Sequence, residues 1–398
     1  MDQLAIGCLR RAVLVCGEFL HRIFRWLQVS YWIPPPRPNP PDTLNSSKWG
    51  IHRYIEVQHI KLHYVEKGSS SKPLMLFLHG LPDFWYGWRY QLSEFSKDYW
   101  TVALDLPGFG CSDSPPYSIC YKLSNMARLV CDLVTALGKS ECVLIGNGAG
   151  AVIGWHIVNQ YPDKVSKYIL LGMPSEAILK QLFQTGAIPL KTLLKSAFLA
   201  YSHEVLPAAL ARSGDYAIFN ELLGSNAKPQ DLEAYKYTFS QPLALERAVV
   251  AFREKFLDFF LEEYEYRVRK SANTRGLFLF RDKDCFSQSP AEYIELLTSV
   301  YHKLETRFVP RVGPFMHQDD PKTVNKMMAE FLGMQKAHPL RPLGNGSEKQ
   351  LVVKEVCNNC YGNSQTKAVD THHEGCAGNC DGQEHKHFLD KPRVPISS

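Results

Sequence analysis

Residues 141–158 read ECVLIGNGAGAVIGWHIV, and this stretch decides the fold of the chain. Its first half, Cys142–Ile145, is continuously apolar, which is typical of a strand buried on both faces of a parallel sheet. Residues 146–151 are only glycine, alanine or asparagine, and the apolar run after them predicts a helix over Ala151–Gln160. A buried strand, a turn of small residues and a helix together predict an α/β protein.

From about Trp49 onward, short apolar runs alternate with helical stretches on both sides of this segment. The alternation predicts an α/β fold with a mostly parallel, doubly wound sheet covered on both faces. Residues about 180–262 are helix-like without a clear strand, so we expect an inserted helical lid. The predicted strands are Arg53–Val57 and Lys61–Val65 as a hairpin, then Pro73–Leu78, Thr101–Leu104, Glu141–Ile145, Gly276–Phe280 and Arg307–Pro310, and the other predicted helices are Tyr121–Leu137 and Val324–Leu332.

The sequence divides the chain into four parts. Residues 1–33 are apolar with interspersed charges, and residues 34–48 form a proline-rich, stiff linker. Residues 49–334 form the α/β domain. Residues 335–398 contain few large apolar side chains, so we expect this tail to be disordered.

The N-terminal part has the pattern of a membrane-surface helix. Charges interrupt it too often for a spanning helix, and its apolar run is too short for a signal peptide. On a helix, Leu20, Ile23, Phe24 and Leu27 share one face and basic residues fall largely on the other. We therefore expect residues 1–33 to lie on a membrane, at the endoplasmic reticulum facing the cytosol. A helix packed on the core is the alternative.

Charge and cysteine content narrow the function classes. The net charge is only +5 with scattered basic residues, so nucleic-acid binding is not expected. Seven of the eleven cysteines are spread through residues 8–285, as buried thiols in a reducing compartment would be. No cofactor is expected. The four tail cysteines have a spacing that could bind zinc, although the tail has no apolar core to organise a site; they are Cys357, Cys360, Cys376 and Cys380.

The turn after strand Cys142–Ile145 has the small-x-x-x-small frame of a nucleophile elbow. Such a turn is tight and strained, and it lifts its central side chain toward substrate. The central residue here is Gly148, which has no side chain to lift. A dinucleotide-binding loop is the other interpretation of this stretch, but the glycine spacing does not match Gly-x-Gly-x-x-Gly.

Two further motifs support a family resemblance. Residues 79–92 read HGLPDFWYGWRYQL and residues 103–110 read ALDLPGFG, and each follows a predicted strand. Over roughly Tyr54–Leu332 the chain resembles the membrane-linked branch of the epoxide hydrolases, in the α/β-hydrolase superfamily. The lid match is looser and depends on LEAY at 232–235 and FSQP at 239–242.

The resemblance implies a two-step mechanism. In this family an aspartate at the elbow attacks an epoxide carbon, and a histidine oriented by an acid activates the water that hydrolyses the resulting ester. Two lid tyrosines hydrogen-bond the epoxide oxygen. The oxyanion loop falls on His79, Gly80, Leu81 and Pro82.

Carried over position by position, the resemblance retains the acid as Asp284 but loses the other two catalytic groups. The nucleophile position falls on Gly148, and the base position falls on Pro314 in the run PFMHQDDPKTVN at 314–325. His317 is the one substitute base nearby, although we expect it to be a structural surface histidine. Asp105 is expected to be a structural loop residue.

The lid positions follow the same trend. One lid tyrosine falls on Phe252 and the other on Phe198, with Tyr201 as a stand-in. Phenylalanine keeps the ring and deletes the hydroxyl that would donate a proton. Phe84 and Trp85 are expected to line the same cavity.

Three hypotheses follow from these positions. We favour a catalytically silent epoxide-hydrolase homologue that binds a small apolar, lipid-like ligand or a protein partner. The rival is an active hydrolase that uses residues outside the family pattern. In the third hypothesis, the Cys/His-rich tail carries the function.

Overall fold

The computed structural model describes residues 29–192, 202–224, 227–261, 274–281 and 290–334. The chain divides into two compact units, Met1–Lys336 and Ala337–Ser398, and the described residues all lie in the first. Residues 1–28 of the predicted membrane-associated part, which covers residues 1–33, and the whole predicted tail fall outside the described residues. Within the described ranges, no helix is long and apolar enough to cross a bilayer.

Eight strands form one sheet in the order β1-β2-β4-β3-β5-β6-β7-β8. The first two form an antiparallel hairpin, β2 pairs antiparallel with β4, and the remaining neighbours pair in parallel. The predicted mostly parallel sheet is thereby confirmed. The strands are β1 (Ile51–Val57), β2 (Ile60–Lys67), β3 (Leu74–Leu78), β4 (Trp100–Leu104), β5 (Cys142–Asn147), β6 (Val165–Leu171), β7 (Arg275–Phe280) and β8 (Leu304–Phe308).

Helices pack against the sheet, and the described chain between β6 and β7 contains helices and no strand. The inserted segment is therefore helical, as predicted. The helices are α1 (Val29–Trp32), α2 (Arg89–Phe95), α3 (Leu123–Ala136), α4 (Ala149–Gln160), α5 (Glu176–Gln184), α6 (Val205–Tyr216), α7 (Ile218–Leu222), α8 (Pro229–Ser240), α9 (Ala244–Leu261), α10 (Pro290–Val300), α11 (Met316–Asp319) and α12 (Pro321–Leu332).

Two strands differ from the sequence prediction. Strand β6 was not predicted, because Ser166 and Lys167 interrupt its pattern and leave only a short apolar run. Strand β8 was predicted at Arg307–Pro310, but it begins three residues earlier, at Leu304. Its charged residues form ion pairs, such as the one between Glu305 Oε1 on β8 and Arg275 Nη2 on the neighbouring β7, at 2.8 Å. An edge strand of this kind loses the continuous apolar run that identifies a central strand.

Aromatic packing fixes helix α4 on the sheet. The ring of Trp155, which is fully buried, lies 5.5 Å from the ring of Tyr168 on β6 and 4.6 Å from that of Tyr301. Its indole Nε1 donates to Met173 O at 2.9 Å. Each buried aromatic side chain removes a large apolar area from water, so these contacts hold the N-terminus of α4 at a fixed position at the end of β5.

Candidate functional site

The turn between β5 and α4 keeps the backbone geometry of a nucleophile elbow. Gly148 has φ 54° and ψ −116°, a conformation that costs an L-residue energy and that glycine adopts freely. Its N–H donates to Leu171 O at 3.2 Å, and its carbonyl accepts from Val152 N at 3.1 Å. The turn therefore joins β5, β6 and α4.

Close backbone approach explains the small residues that flank Gly148. A Cβ built on Gly146 would lie 2.4 Å from Gly150 O, and one on Gly150 would lie 2.2 Å from Leu78 O. By contrast, a Cβ on Gly148 would meet only Gly80 Cα within 4 Å among the described residues, at 3.5 Å. The elbow is therefore closed to side chains at its flanks and open at its centre.

The oxyanion loop is held by the side chain of His79. Its Nε2 accepts from Leu106 N at 3.0 Å, so the ring proton is on Nδ1, which donates to Gly80 O at 2.8 Å. The imidazole is fully buried and joins the loops after β3 and β4. The Leu81–Pro82 peptide bond is cis. In this loop His79 has a structural role that needs no substrate.

Asp105 is likewise a structural loop residue in the described chain. Its Oδ1 accepts from Trp85 N at 2.8 Å, and its Oδ2 accepts from Cys111 N at 3.0 Å and lies 2.7 Å from His63 Nδ1. His63, Asp105 and Cys111 are also the one described group whose ligand atoms lie close enough for a metal ion, within 4.8 Å of one another. Because hydrogen bonds already occupy both carboxylate oxygens, we regard the group as structural.

The loop after β8 places the predicted base position at the surface. Pro314 is exposed, whereas the next residue, Phe315, is buried. Asp319 Oδ2 accepts from Gly313 N at 2.6 Å and shapes the turn. Burial raises the pKa of Asp319 to about 6, and the bond from Gly313 opposes that rise.

The expectation of a surface His317 is wrong. Its side chain is fully buried, and its ring stacks on Trp88 with centroids 4.1 Å apart. The side chain lies in the core together with those of its neighbours Phe315 and Met316, which are also buried at the start of helix α11. Neither ring nitrogen has a hydrogen-bond partner within the described ranges, and burial lowers the pKa of His317 to about 3.

A buried carboxyl faces this imidazole. Asp83 Oδ2 lies 3.8 Å from His317 Nε2, and both side chains are fully buried. Burial raises the pKa of Asp83 to about 7, although its Oδ1 accepts from Phe84 N at 2.8 Å and from Tyr235 Oη at 2.5 Å. Asp83 and Tyr235 both lie in the motifs that carry the family resemblance, but neither was predicted to have a role in the site. Their only sequence signal was their position in those motifs.

A polar network continues from this pair into the lid. Gln318 Nε2 donates to Tyr235 Oη at 2.7 Å, and Arg89 Nη1 donates to Gln318 Oε1 at 2.7 Å. Arg89 Nη2 then contacts Asp231 Oδ2 on α8 at 3.1 Å. Because every one of these groups is buried or half-buried, the network fixes α8 against the loop after β3.

The other predicted site residues are placed as follows. Phe84 is buried, with its ring 5.1 Å from that of Tyr235, and the Trp85 ring lies 5.1 Å from that of His52 on β1. Phe252 lies in α9, but its side chain is outside the described residues. Also outside them are Asp284, Phe198, Tyr201 and the four tail cysteines. The structure therefore brings together Gly148 and the oxyanion loop, and it leaves the predicted acid and lid positions open.

Comparison with known proteins agrees with this architecture. A family model described as alpha/beta hydrolase fold matches residues 73–197. Epoxide hydrolase 4 of Homo sapiens is 33% identical over 311 residues, which cover 75% of this chain and 83% of that relative. Epoxide hydrolase 3 of Xenopus tropicalis is 32% identical over 324 residues, covering 78% and 83%.

A solved structure gives the same assignment. The crystal structure of a mutant epoxide hydrolase from Bacillus megaterium, in complex with its naphthyloxy-propanediol product, superimposes with a TM-score of 0.61 at 26% identity. It covers 71% of this chain and 100% of the bacterial chain. The present chain therefore belongs to the epoxide hydrolase family of the α/β-hydrolase fold.

Proposed function

We propose that this chain is a catalytically silent member of the family, and that its lidded domain binds a small apolar, lipid-like ligand without hydrolysing it. The observation that carries the proposal is Gly148, where the elbow keeps its backbone conformation without a nucleophilic side chain. The exposed Pro314 at the base position adds to it. Catalytic groups act as a unit, so losing two of them removes on the order of 10⁴-fold or more in turnover.

A small ligand is favoured over a protein partner by the geometry at the elbow. The centre of the turn is open, since a Cβ at Gly148 would have only Gly80 Cα within 4 Å in the described part of the chain. The lid and the loop after β3 also share an aromatic group, in which the Phe84 ring lies 5.1 Å from that of Tyr235 and 6.4 Å from that of Phe239. Apolar walls with a few fixed polar groups are typical of ligand sites.

A chemical trap tests the proposal directly. Gly148→Asp places a carboxylate at the nucleophile position, where its oxygen would attack an epoxide carbon and break the ring C–O bond, with water protonating the alkoxide. Because no base is expected at Pro314, the ester should persist and add the mass of one epoxide to the protein. Gly148→Asn is the matched control, since it has the same shape without the nucleophile. Ester formation followed by turnover would contradict the proposal.

A second candidate function is an active hydrolase that uses residues outside the family pattern. The specific observation in its favour is that Asp83 Oδ2 faces His317 Nε2, while Tyr235 Oη donates a hydrogen bond to the other oxygen of the same carboxyl. A carboxyl whose pKa is about 7 suits a general base at neutral pH. Against it, both groups are fully buried, and their 3.8 Å separation is longer than a hydrogen bond.

Turnover measurements separate the two candidates. The silent function predicts no diol formation above a heat-killed control from a panel of lipid and aryl epoxides. Turnover abolished by Asp83→Asn would establish the second candidate. Turnover abolished by Asp284→Ala instead would show that the family acid still works and would also end the silent proposal.

We also propose that residues 1–33 hold the protein on a membrane surface. The proposed location is the endoplasmic reticulum membrane, on the side that faces the cytosol. The support is the amphipathic sequence pattern of residues 20–27 and the basic residues near it. Flotation of the full chain with phospholipid vesicles, compared with a chain that begins at residue 34, tests this proposal. Equal flotation of the two proteins would refute it.

A further inference from the structure

Helix α6 of the lid exposes an apolar face. Val205, Leu206 and Leu210 are 56%, 52% and 44% exposed. With Ala209, which is half-buried, they occupy adjacent positions around the helix, since residues three or four apart lie on one side. Single exposed apolar residues are ordinary, but a continuous apolar face on one helix marks an interaction surface.

The N-terminal part of the chain is attached to this same helix. Helix α1, which directly follows residues 1–28, packs on α6, and the ring of Tyr31 would lie 3.2 Å from a Cβ at Gly214. Beyond α1, the Arg37 guanidinium pairs with Asp215 at 2.8 Å and Glu233 at 3.2 Å. Val29, the first described residue, therefore begins a helix that lies against the lid.

The charged residues on the neighbouring turns of α6 are paired. Arg212 pairs with Glu246 at 2.6 Å, and Glu204 pairs with Arg253 at 3.2 Å. Ion pairs of this kind lower the cost of bringing a surface into a medium of low dielectric. Ile33, 66% exposed, adds a further apolar side chain where the chain leaves α1.

We propose that the outer face of α6, formed by Val205, Leu206, Ala209 and Leu210, lies on the lipid bilayer. The inference rests on the proposed membrane association of residues 1–33 and adds the orientation of the domain. A lipid surface fits better than a protein partner because the sequence of residues 20–27, which precedes α1, has an amphipathic pattern with basic residues, the combination that interfacial helices use.

This orientation has a consequence for the ligand. The lid lies over the carboxyl ends of the parallel strands, where Gly148 is found, so the lid side would face the bilayer. A lipid-like ligand would then reach the elbow from the membrane without crossing bulk water. Strand β1, whose exposed Ile51 and Tyr54 serve as the control below, forms one lateral edge of the sheet.

Vesicle binding by matched variants tests the orientation. The full chain would be floated with vesicles of phosphatidylcholine that contain about one third phosphatidylserine. Val205→Gln with Leu206→Gln removes two side chains that are 56% and 52% exposed. Ile51→Gln with Tyr54→Gln on β1 removes two that are 55% and 52% exposed and serves as the control.

We expect the α6 pair to weaken vesicle partitioning on the order of tenfold, since two half-exposed aliphatic side chains leave the bilayer, and the β1 pair to leave it unchanged. Melting curves of both variants check folding. A benzophenone amino acid at position 206 should also crosslink to lipid, and one at position 51 should not.

The outcomes separate this inference from the membrane proposal. If the unmodified chain does not bind vesicles, both fail. If it binds and both variant pairs bind equally, or position 206 does not crosslink to lipid, the orientation is wrong while the membrane association stands. If the α6 pair instead dissociates a dimer without changing vesicle binding, the face is a contact between two copies and the inference is overturned.

Discussion

The buried pair of Asp83 and His317 should reverse the usual order of proton affinity. Burial raises the pKa of Asp83 from 3.8 to about 7 and lowers that of His317 from 6.5 to about 3. Between about pH 4 and about pH 6.5 the folded pair holds one proton, on the carboxyl. The unfolded pair also holds one proton in that range, on the imidazole. Because both states bind the same number of protons, the pair contributes no pH dependence to stability there.

Removing either partner should make the free energy of unfolding depend on pH, and the dependence should have opposite sign in the two variants. His317→Phe keeps a ring to stack on Trp88 and leaves Asp83, which stays protonated in the folded state after the unfolded chain has lost its proton. Stability should then fall as pH rises from about 4 to about 7. Asp83→Asn leaves His317, which the unfolded chain protonates and the folded state does not. Stability should then fall as pH drops from about 6.5 toward about 3.

The size of each effect follows from the pKa shifts. One unit corresponds to about 1.4 kcal/mol, so two pH units inside the window change the free energy of unfolding by roughly 2–3 kcal/mol in each variant. The assay is urea unfolding followed by tryptophan fluorescence at about pH 4.5 and about pH 6.5. Other titrating groups, including Asp319, are common to all three proteins, so the quantity compared is each variant minus the unmodified chain.

Two outcomes of these unfolding measurements would refute the stated order of proton affinity. Slopes of the same sign in the two variants, or no slope in either, would show that the carboxyl and the imidazole do not hold their proton in the stated order. The double variant is the control, because removing both groups should restore the weak pH dependence of the unmodified protein. A double variant that keeps either slope would assign that slope to another group.

Three further predictions concern the backbone of the site. Gly148→Ala should lower the free energy of unfolding by about 1–3 kcal/mol, because φ 54° strains an L-residue; an unchanged urea midpoint would contradict the elbow geometry. Gly150→Ala should be more damaging, since its Cβ would lie 2.2 Å from Leu78 O, and a soluble variant as stable as Gly148→Ala would contradict that close approach. Asp320→Ala should cost about 1 kcal/mol, because the Asp320 carboxylate accepts from Thr323 N at the start of α12; thermal melting that matches the unmodified protein would show that this cap contributes nothing.

The sheet could be predicted from the sequence where its strands are buried on both faces. Cys142–Ile145 is continuously apolar, and that pattern predicted β5 and the turn after it. The edge strand β8 was displaced in the prediction because charged residues alternate along it, and β6 was missed because polar residues interrupt its first half. A continuous apolar run identifies a strand that is buried along its whole length, and this signal is lost where polar or charged residues interrupt the strand.

In the candidate site, the sequence likewise predicted the residues that a local turn restricts and missed those that depend on distant contacts. Gly148 and its flanking glycines were found because a strained turn restricts residue type locally. His317 was misjudged as a surface residue because its burial depends on Trp88 and on the lid-facing network, which come from distant parts of the chain. The meeting of Asp83 with His317 joins residues more than 200 positions apart, and no local pattern specifies such a contact.

The elbow itself explains how a silent protein could keep so much of an enzyme's signature. Gly146 and Gly150 cannot change, because any Cβ at either position collides with backbone atoms whether or not the chain is catalytic. Gly148 has no such close neighbour among the described residues, so a side chain there meets no packing obstacle. It would carry only backbone strain, on the order of 1–3 kcal/mol, which a catalytic chain has to bear and which glycine removes. Pro314 is exposed beside the buried Phe315, so packing does not restrict the residue type at this position either. Under the proposed function, packing therefore determines the residues at the flanks of the motif, and chemistry determines the residue at its centre. Activity has to be judged from the central residue.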